Sequence, residues 1–345
     1  MSSGRCWKIG FICLIAFMGL LPTMAQEGAP PLPGEMVISN LGAPRGLAFD
    51  AEGNLLVADA GTGGNVGLTL SGPEGDAPIN AGLTGRVVSI APDGTPTDLI
   101  IGLPSYASPM ETTGLHRAIP NGDSLWLVSS GHATQNVGAY WTDSVVELDA
   151  ETLVVKTVIN LNNFEATQDP DGRGYDTNIT DIDWGADGTL YIVDAGGNAL
   201  ISWTPEAGLA LVTAWPENSV PTSVEVADNG DIYVGFLGEA LAFGAGKIEH
   251  WSGGELVETF DGLNTVTDIL LDGDTIYAVQ LLELSDVGPG PGSVIAVNAD
   301  GVTTIAEGLP APYGIARGPD GALYVTIGTI ALGPGVTGGV LRLDV

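Results

Sequence analysis

Basic residues are scarce in this chain of 345 residues. It has 10 lysines and arginines against 42 aspartates and glutamates, which gives a formal net charge of −32. A negative field of that size repels nucleic acid and anionic membrane surfaces and attracts cations, so no nucleic-acid partner is expected. Charged residues nevertheless make up only 15% of the chain and apolar residues 44%, a composition that excludes an acidic disordered chain.

Cysteine is equally scarce, and both cysteines lie in an N-terminal segment typical of a signal peptide. Arg5 and Lys8 precede the apolar run IGFICLIAFMGLL, which is short for a bilayer span, and the small residues of PTMA lead to an expected cleavage point after Ala25. An uncleaved anchor is the alternative. Cleavage would remove Cys6 and Cys13 and leave a secreted or periplasmic protein without disulfides or thiol chemistry.

These features divide the chain into three parts. The expectation is a signal peptide at residues 1–25, a mobile proline-rich arm at 26–35, and a single folded domain at 36–345. After cleavage, a monomer without stable membrane insertion is expected.

Motifs that would assign an enzyme are also lacking. The sequence has no Gly-x-Ser-x-Gly and no phosphate-binding glycine loop, and its three histidines do not stand at the spacing of a local metal-ligand pair. No catalysis and no certain cofactor are therefore assigned.

The chain contains an internal repeat instead. Each copy consists of an apolar run, a tight turn rich in Asp, Asn and Gly, and a second apolar run, as in RGLAFDAEGNLLVAD. Copies begin at Arg45, Thr113, Thr180, Thr222, Thr267 and Tyr313. Alternating segments after each copy supply a second strand pair. Six such units predict an all-β fold, a six-bladed β-propeller of four-stranded antiparallel blades.

The last unit supplies only three strands. The segment EMVISNL near the N-terminus alternates like a strand and is predicted to provide the fourth. Pairing of residues 36–41 with 338–344 would close the ring and remove an open strand edge.

Four insertions fall on connections that share one face of a propeller. They are residues 60–84, 104–112, 129–143 and 162–179. Long loops on a rigid scaffold commonly carry function, so this loop face is the expected functional surface. Insertions without function are the alternative.

The first candidate site is formed by residues at the start of the first strand of each unit. Polar side chains from all units would converge at the mouth of the central channel and could bind a small molecule. Satisfying strand ends and buried water is the alternative role. The candidates are Arg45, His116, Arg117, Asp181, Thr222, Asp268 and Tyr313.

The second candidate site is the acidic segment TQDPDGRGYDTNITDID, residues 167–183. Oxygen ligands at short spacing around glycine suit Ca²⁺, although the spacing is not that of an EF-hand, and solvated turn carboxylates are the alternative. The candidate ligands are Asp169, Asp171, Asp176, Asn178 and Asp181.

Tryptophans fall into two groups. Trp126, Trp184, Trp203 and Trp251 lie within predicted strands and are interpreted as packing between blades rather than as a carbohydrate platform. Trp141 lies in an insertion and is a candidate for a contact surface.

The order of PRGLAFDAEGNLLVADAGTGG, GLPSYAS, TTGLHRA and DPDGRGYDTN resembles the ScyD/ScyE family of exported proteins, which is related to NHL-repeat propellers. The resemblance covers essentially the whole chain after the signal segment. It implies the fold and export but no reaction. Many members carry cysteines that flank the GPEG insert, whereas Val66 to Ala81 contains none here, so the family disulfide is not expected.

Three functions remain open. The favoured one is an exported propeller that binds a small molecule or a partner protein through its loop face and channel mouth. A calcium-dependent hydrolase or lyase of the lactonase kind would require Glu, Asn and Asp around a metal in the channel, and no glutamate begins a first strand. A protein–protein scaffold is the third.

Overall fold

The hairpins of the fold form because each copy of the repeat carries its own turn signal. Asp50 accepts the backbone N–H of Asn54 at 2.7 Å, and Gly53 adopts a φ of 82°, which a side chain would disfavour. A later copy repeats the arrangement: Asp187 accepts a backbone N–H two residues ahead at 3.0 Å, and Gly188 has a φ of 83°. Local chemistry thus specifies the strand–turn–strand unit.

The computed structural model describes residues 31–72, 75–131, 140–285, 288–330 and 337–345. Four sheets there have four antiparallel strands each. The first contains β1 (Glu35–Leu41), β25 (Gly338–Leu343), β24 (Leu323–Ile327) and β23 (Ile315–Arg317). The second contains β11 (Ile179–Trp184), β12 (Leu190–Asp194), β13 (Ala199–Thr204) and β14 (Gly208–Ala214). The third contains β15 (Pro221–Val226), β16 (Ile232–Phe236), β17 (Gly246–Ser252) and β18 (Glu255–Leu263).

The fourth such sheet contains β19 (Val266–Asp272), β20 (Thr275–Ser285), β21 (Gly288–Asn298) and β22 (Gly301–Leu309). A fifth sheet has nine strands: β2 (Pro44–Phe49), β3 (Leu55–Asp59), β4 (Val66–Gly72), β5 (Gly75–Ile90), β6 (Pro96–Ala107), β7 (Thr112–Asn121), β8 (Ser124–Ser129), β9 (Ser144–Asp149) and β10 (Val155–Asn160). In the described part of the chain, one α-helix, α1 (Asn162–Gln168), and a short 3₁₀ helix (Glu239–Leu241) accompany the strands.

The prediction of six separate blades needs correction, because the structure has four separate four-stranded blades and the first two repeat units share the nine-stranded sheet. The join is made by β6, which continues past the expected end of its unit and pairs with β7. Ser105 lies opposite Gly114, and Ala107 lies opposite Thr112. The insertion at 104–112 is therefore partly a hairpin rather than a loop.

Strand β1 pairs antiparallel with β25, the last strand of the chain. Glu35 lies opposite Arg342 and Leu41 opposite Gly338. The innermost strands β2, β7, β11, β15, β19 and β23 contact one another in that order, and β23 also contacts β2.

The core lies between neighbouring sheets rather than within one. Ile182 and Ile192 of one sheet pack with Val128 of the preceding one. Val340 near the C-terminus packs with Leu47 near the N-terminus. Each sheet thus buries both of its faces against neighbours, which suits the apolar residues that dominate the inner strands.

The other insertions adopt defined structure in part. Residues 60–84 include the hairpin of β4 and β5, and 162–179 include α1. Part of the insertion at 129–143 lies outside the described residues. The expected signal peptide and residues 26–30 lie wholly outside them. Within the described ranges, no helix is long and apolar enough to cross a bilayer.

Removal of β1 should expose the edge of β25. We expect a chain that lacks residues 26–41 to melt at a lower temperature and less cooperatively than the parent, with a loss of about 2 kcal/mol or more, because Leu41 and the β1–β25 ladder are lost together. Calorimetry measures both quantities. A chain that lacks only residues 26–33, which precede β1, is the control, and equal melting of the two truncations would contradict the role of the pairing.

Candidate functional site

A buried ion pair occupies the centre of the innermost strands. Arg117 on β7 lies between Asp181 on β11 and Asp268 on β19. Its Nη2 donates to Asp181 Oδ2 at 2.9 Å, its Nε lies 2.8 Å from Asp181 Oδ1, and its Nη1 donates to Asp268 Oδ2 at 2.9 Å. All three side chains are at least 93% buried. One guanidinium thus links three repeat units.

Backbone groups complete this ion pair. Asp181 also accepts the N–H of Val224 at 3.0 Å, and Asp268 accepts the N–H of Ile315 at 2.8 Å, so each carboxylate reaches the next sheet around the ring. Burial is the largest influence on the pKa of Asp181 and raises it, whereas Arg117 lowers it. Burial lowers the pKa of Arg117, but the two aspartates raise it by more. The guanidinium is therefore permanently charged.

A second polar group surrounds Arg45. Its Nη2 donates to Glu111 Oε2 at 2.9 Å and to the carbonyl of Thr112 at 2.7 Å. The guanidinium lies 4.6 Å from the ring centroid of Tyr313, and the hydroxyl of Tyr313 lies 3.4 Å from Nδ1 of His116. Burial raises the pKa of Tyr313, and Arg45 opposes this shift.

The structure thus brings most of the predicted channel-mouth residues together, but as partners of one another. The remaining one, Thr222, lies within hydrogen-bonding distance of the carbonyls of Gly235 and Val266. Every candidate is less than 10% exposed. The arrangement joins neighbouring units, a role that the sequence analysis had not proposed for these residues.

The acidic insertion forms a different kind of cluster. Glu165 on α1, with Asp169 and Asp171 just after the helix, places one carboxylate oxygen each within 4.8 Å of the others. The helix ends because Asp169 adopts a left-handed φ of 43° while its N–H bonds to the carbonyl of Glu165. Two side-chain bonds hold the following turn: Asp169 accepts the N–H of Gly174, and Asp171 accepts that of Arg173.

Glu165 is the unusual member of this acidic cluster. It is 1% exposed, and neither of its carboxylate oxygens has a hydrogen-bond partner of ordinary geometry in the described parts of the chain. Burial raises its pKa to about 8, and repulsion from Asp194, Asp171 and Asp169 adds to the shift. The backbone N–H of Asp176 opposes it. A buried carboxylate without a counter-charge is costly when ionised.

Asp194 at the end of β12 extends the cluster. A Cβ placed on Gly197 would lie 2.7 Å from Glu165 Oε2 and 3.4 Å from Asp194 Oδ2, so both oxygens face the same small gap. Asp194 Oδ1 accepts three backbone N–H groups, from Asn178, Gly196 and Gly197. Its Oδ2 has no partner among the described residues. Burial raises the pKa of Asp194 to about 7.

The first repeat unit offers an internal comparison. Asp59 ends β3 as Asp194 ends β12, and its Oδ1 also accepts three backbone N–H groups. There, however, Oδ2 pairs with Arg86 at 3.0 Å. The position across the ladder is Arg86 for Asp59 and Ala199 for Asp194. The third unit thus has no arginine opposite the aspartate and has Glu165 at the same strand end. The gap there is lined by carboxylate oxygens.

The predicted calcium ligands separate into two places. Asp169 and Asp171 lie in the acidic cluster, and Asp176 lies close enough to raise the pKa of Asp194. Asn178 approaches with its backbone N–H, while its side-chain oxygen accepts the hydroxyl of Ser130 at 2.8 Å. Asp181 belongs instead to the central ion pair.

Sequence reasoning missed Glu165 and Asp194. Asp194 carries a detectable signal, because VAD in the first unit and IVD in the third place an aspartate at the same strand end. Glu165 carries none, since a single glutamate in a short helix is common.

The donor set of the acidic cluster fits a hard divalent cation. Carboxylate oxygens of Glu165, Asp169 and Asp171 lie within 4.8 Å of one another, and Asp194 Oδ2 faces the same gap as Glu165. Arg173 Nε lies 3.9 Å from Asp171 Oδ2. Flexible oxygen-rich sites of this kind favour Ca²⁺, whereas the lack of nitrogen and sulfur ligands in the cluster disfavours zinc.

No family model matches this chain, and no curated protein matches it significantly. Solved structures do match. A gluconolactonase from Xanthomonas campestris is 11% identical, with a TM-score of 0.56 over 92% of this chain and 99% of that one. A calcium-binding regucalcin from Agrobacterium tumefaciens is 14% identical, with a TM-score of 0.54 over 90% and 94%.

A streptogramin B lyase is 13% identical, with a TM-score of 0.51 over 91% of this chain and 97% of that chain. These three proteins are β-propellers, and the likeness assigns the same all-β propeller fold to this chain. At such low identities it assigns no reaction.

Substitution of Arg117 should be the most damaging change in this region. We expect Arg117→Met to cost about 3–5 kcal/mol, because it leaves two buried carboxylates without their cation. Arg317→Met is the control, since Arg317 pairs with the exposed Asp272 and should cost about 1 kcal/mol or less. Chemical unfolding measures both. Equal losses of stability in the two variants would mean that the central ion pair contributes no more to stability than the exposed pair of Arg317.

Proposed function

We propose that this chain is an exported β-propeller that binds Ca²⁺ on its loop face, and that the ion orders this face for a small-molecule or protein ligand. The observation that carries the proposal is the buried Glu165, whose oxygens have no hydrogen-bond partner of ordinary geometry among the described residues and which lies beside Asp169, Asp171 and Asp194. A bound cation would replace both the missing hydrogen bonds and the missing counter-charge.

The comparison between repeat units supports this assignment. In the first unit the strand-end aspartate, Asp59, has a cationic partner within the chain itself, the side chain of Arg86. In the third unit Ala199 occupies the matching position, and Glu165, which itself lies beside Asp169 and Asp171, faces the aspartate instead. Ca²⁺ would fill the role of the arginine. It would also hold α1 and the rest of the insertion at 162–179 against the end of β12.

The same proposal includes a ring of six blades closed by β1. Counting the nine-stranded sheet as two blades joined through β6 and β7 gives six units, and the innermost strands contact one another in a circle. The β1–β25 pairing then completes the last blade with an N-terminal strand. Export follows from the segment before residue 26, and the resemblance to the ScyD/ScyE family is consistent with both features.

The loop face offers further structure for a ligand. The β4–β5 hairpin projects from the first unit, and the β20–β21 hairpin extends past Gln280 to Ser285 in a later one. The exposed Tyr140, whose hydroxyl donates to the carbonyl of Gly102 at 2.8 Å, stands beside Trp141 in the described end of another insertion. We assign the ligand to this face rather than to the closed centre.

A lactonase-like reaction is the alternative function. It would need a metal among the central carboxylates, where Arg117 already lies between Asp181 and Asp268. Hydrolysis of a simple aldonolactone that depends on added Ca²⁺ would favour the enzyme over the binding protein.

Calcium should stabilise the protein specifically. At a hundredfold excess over the dissociation constant we expect about 2.7 kcal/mol, or a rise in Tm of about 5 °C, relative to Na⁺ at equal ionic strength. Glu165→Gln should abolish most of this rise, because it removes a buried ligand. Asp187→Asn is the control, since it removes one charge from the exposed turn between β11 and β12, at the end of β12 away from Asp194. A calcium effect that survives Glu165→Gln would place the ion elsewhere, and no effect in the parent would refute the site.

The pH dependence of stability should reveal the same carboxylates. The folded-state pKa of about 8 for Glu165 and about 7 for Asp194 lies above the unfolded values of about 4, so the folded state holds more protons. Metal-free protein should therefore lose stability between about pH 4 and 8. The rise in Tm on adding Ca²⁺ should grow over that range.

Melting curves with EDTA or Ca²⁺ at constant ionic strength measure both effects. Glu165→Gln should lose less stability than the parent as the pH rises, whereas Asp187→Asn should follow the parent. Identical slopes for Glu165→Gln and the parent would show that Glu165 is ionised at ordinary pKa.

A further inference from the structure

A pocket of about 400 Å³ lies on the side of the molecule opposite to the acidic cluster. Gly188 and Pro205 line it from two hairpin turns, whereas Asp194 lies at the other end of the strand that begins at Leu190. None of the residues that line the pocket belongs to the central ion pair or to the proposed calcium site. The pocket is therefore a separate feature.

Three indole rings form most of the wall. On one sheet, Trp184 pairs with Leu190, and Leu190 pairs with Trp203, so these residues form a row on one face of β11, β12 and β13. Trp126 on β8 meets that row from the preceding unit, and its ring stands at 69° to that of Trp184 with centroids 5.5 Å apart. Three of the four tryptophans that the sequence assigned to packing, all but Trp251, thus also line a pocket.

The opposite wall carries a carboxylate. Glu147 on β9 pairs with Trp126 on one side and with Thr157 on the other, so these three residues form a row that faces Trp184 and Trp203. Its Oε1 accepts the hydroxyl of Ser124 at 2.8 Å, and its Oε2 accepts that of Thr157 at 2.7 Å. Lys156 also approaches this corner without lining the pocket, and its ammonium donates to the hydroxyl oxygen of Ser124 at 3.1 Å.

This combination selects an organic cation. The faces of indole rings are electron-rich and attract cations, and quaternary ammonium groups are bound by aromatic walls of this kind. Glu147 adds a full negative charge, no lysine or arginine lines the pocket, and the chain has a net charge of −32.

A sugar fits the same pocket less well. Sugars need several hydrogen-bonding groups, yet besides its indole N–H groups the lining offers only the side chains of Glu147 and Thr157, which already bond to each other. A quaternary ammonium group donates no hydrogen bond and requires none. Its positive charge suits the carboxylate of Glu147, and its methyl groups suit the indole rings of the wall.

We propose that this pocket binds a small molecule that carries a quaternary ammonium group, with the cation against Trp184 and Trp203 and its charge balanced by Glu147. The site is independent of the proposed calcium site and of the loop face. It would give the protein a second binding surface on the opposite side.

Choline is the probe for this site, and the full chain without its signal segment is titrated with it at constant ionic strength. We expect saturable binding by calorimetry, accompanied by a change in tryptophan fluorescence, with Kd on the order of 1 mM. The neutral isostere 3,3-dimethylbutan-1-ol should bind at least about tenfold more weakly, because it fills the same volume without the charge. Equal binding of the two compounds, or binding of cellobiose in place of choline, would overturn the proposal.

Three variants locate the site. Trp203→Ala should weaken choline binding about tenfold and Glu147→Gln about fivefold, whereas Trp203→Phe, which keeps an aromatic face, should stay within about threefold of the parent. Glu258→Gln removes an exposed charge elsewhere and should change nothing. The melting temperature of each variant checks its fold. Unchanged binding in the folded Glu147→Gln and Trp203→Ala proteins, or no choline binding by the parent, would refute the assignment.

Discussion

The ion pair of Arg117 with Asp181 and Asp268 is the interaction on which the ring depends. It joins side chains that lie 64 and 151 positions apart in the chain, and each aspartate also accepts a backbone N–H from the next sheet. Apolar packing between sheets is strong but non-directional. A buried guanidinium with charge-assisted bonds adds a fixed geometry, so the innermost strands meet in one register. The centre of the molecule is consequently committed to structure.

The repeat units differ from one another away from this centre. Repeat units must share a turn and a buried strand pair, but the ends of their strands are free to diverge. Asp59 and Asp194 illustrate this freedom, since the same backbone-capped aspartate has Arg86 as its partner in one unit and Glu165 as its neighbour in another. The first arrangement is neutralised within the chain. The second concentrates negative charge that an external cation would satisfy.

The two sides of the molecule also differ in their chemistry, because each side carries a different set of strand ends and connections. The side that carries the insertions presents carboxylates, whereas the side that carries the short turns presents indole rings and one carboxylate around a pocket. Both arrangements favour cations, in keeping with the strong acidity of the whole chain. One suits a hard metal ion and the other a soft organic cation.

The fold class could be predicted from the sequence because its signals are local. The turn built by Asp50 and Gly53 is contained within a few residues, and the alternation of apolar residues identifies the strands that flank it. The acidic segment around Asp169 and Asp171 could be found in the same way, since its members are neighbours in the chain. The extension of β6 onto β7 could not, because strand pairing beyond a turn depends on the path of the connection.

Only the tertiary structure decided which residues of different units contact one another. Periodicity predicts which residues share a face of a strand, but not which faces meet across two sheets. The sequence therefore placed Asp181 in both candidate sites, and only the structure shows that it pairs with Arg117. Glu165 gained its importance from Asp194, and Trp126 from the row of Trp184 and Trp203, because packing of adjacent blades brought together residues that no local pattern connects.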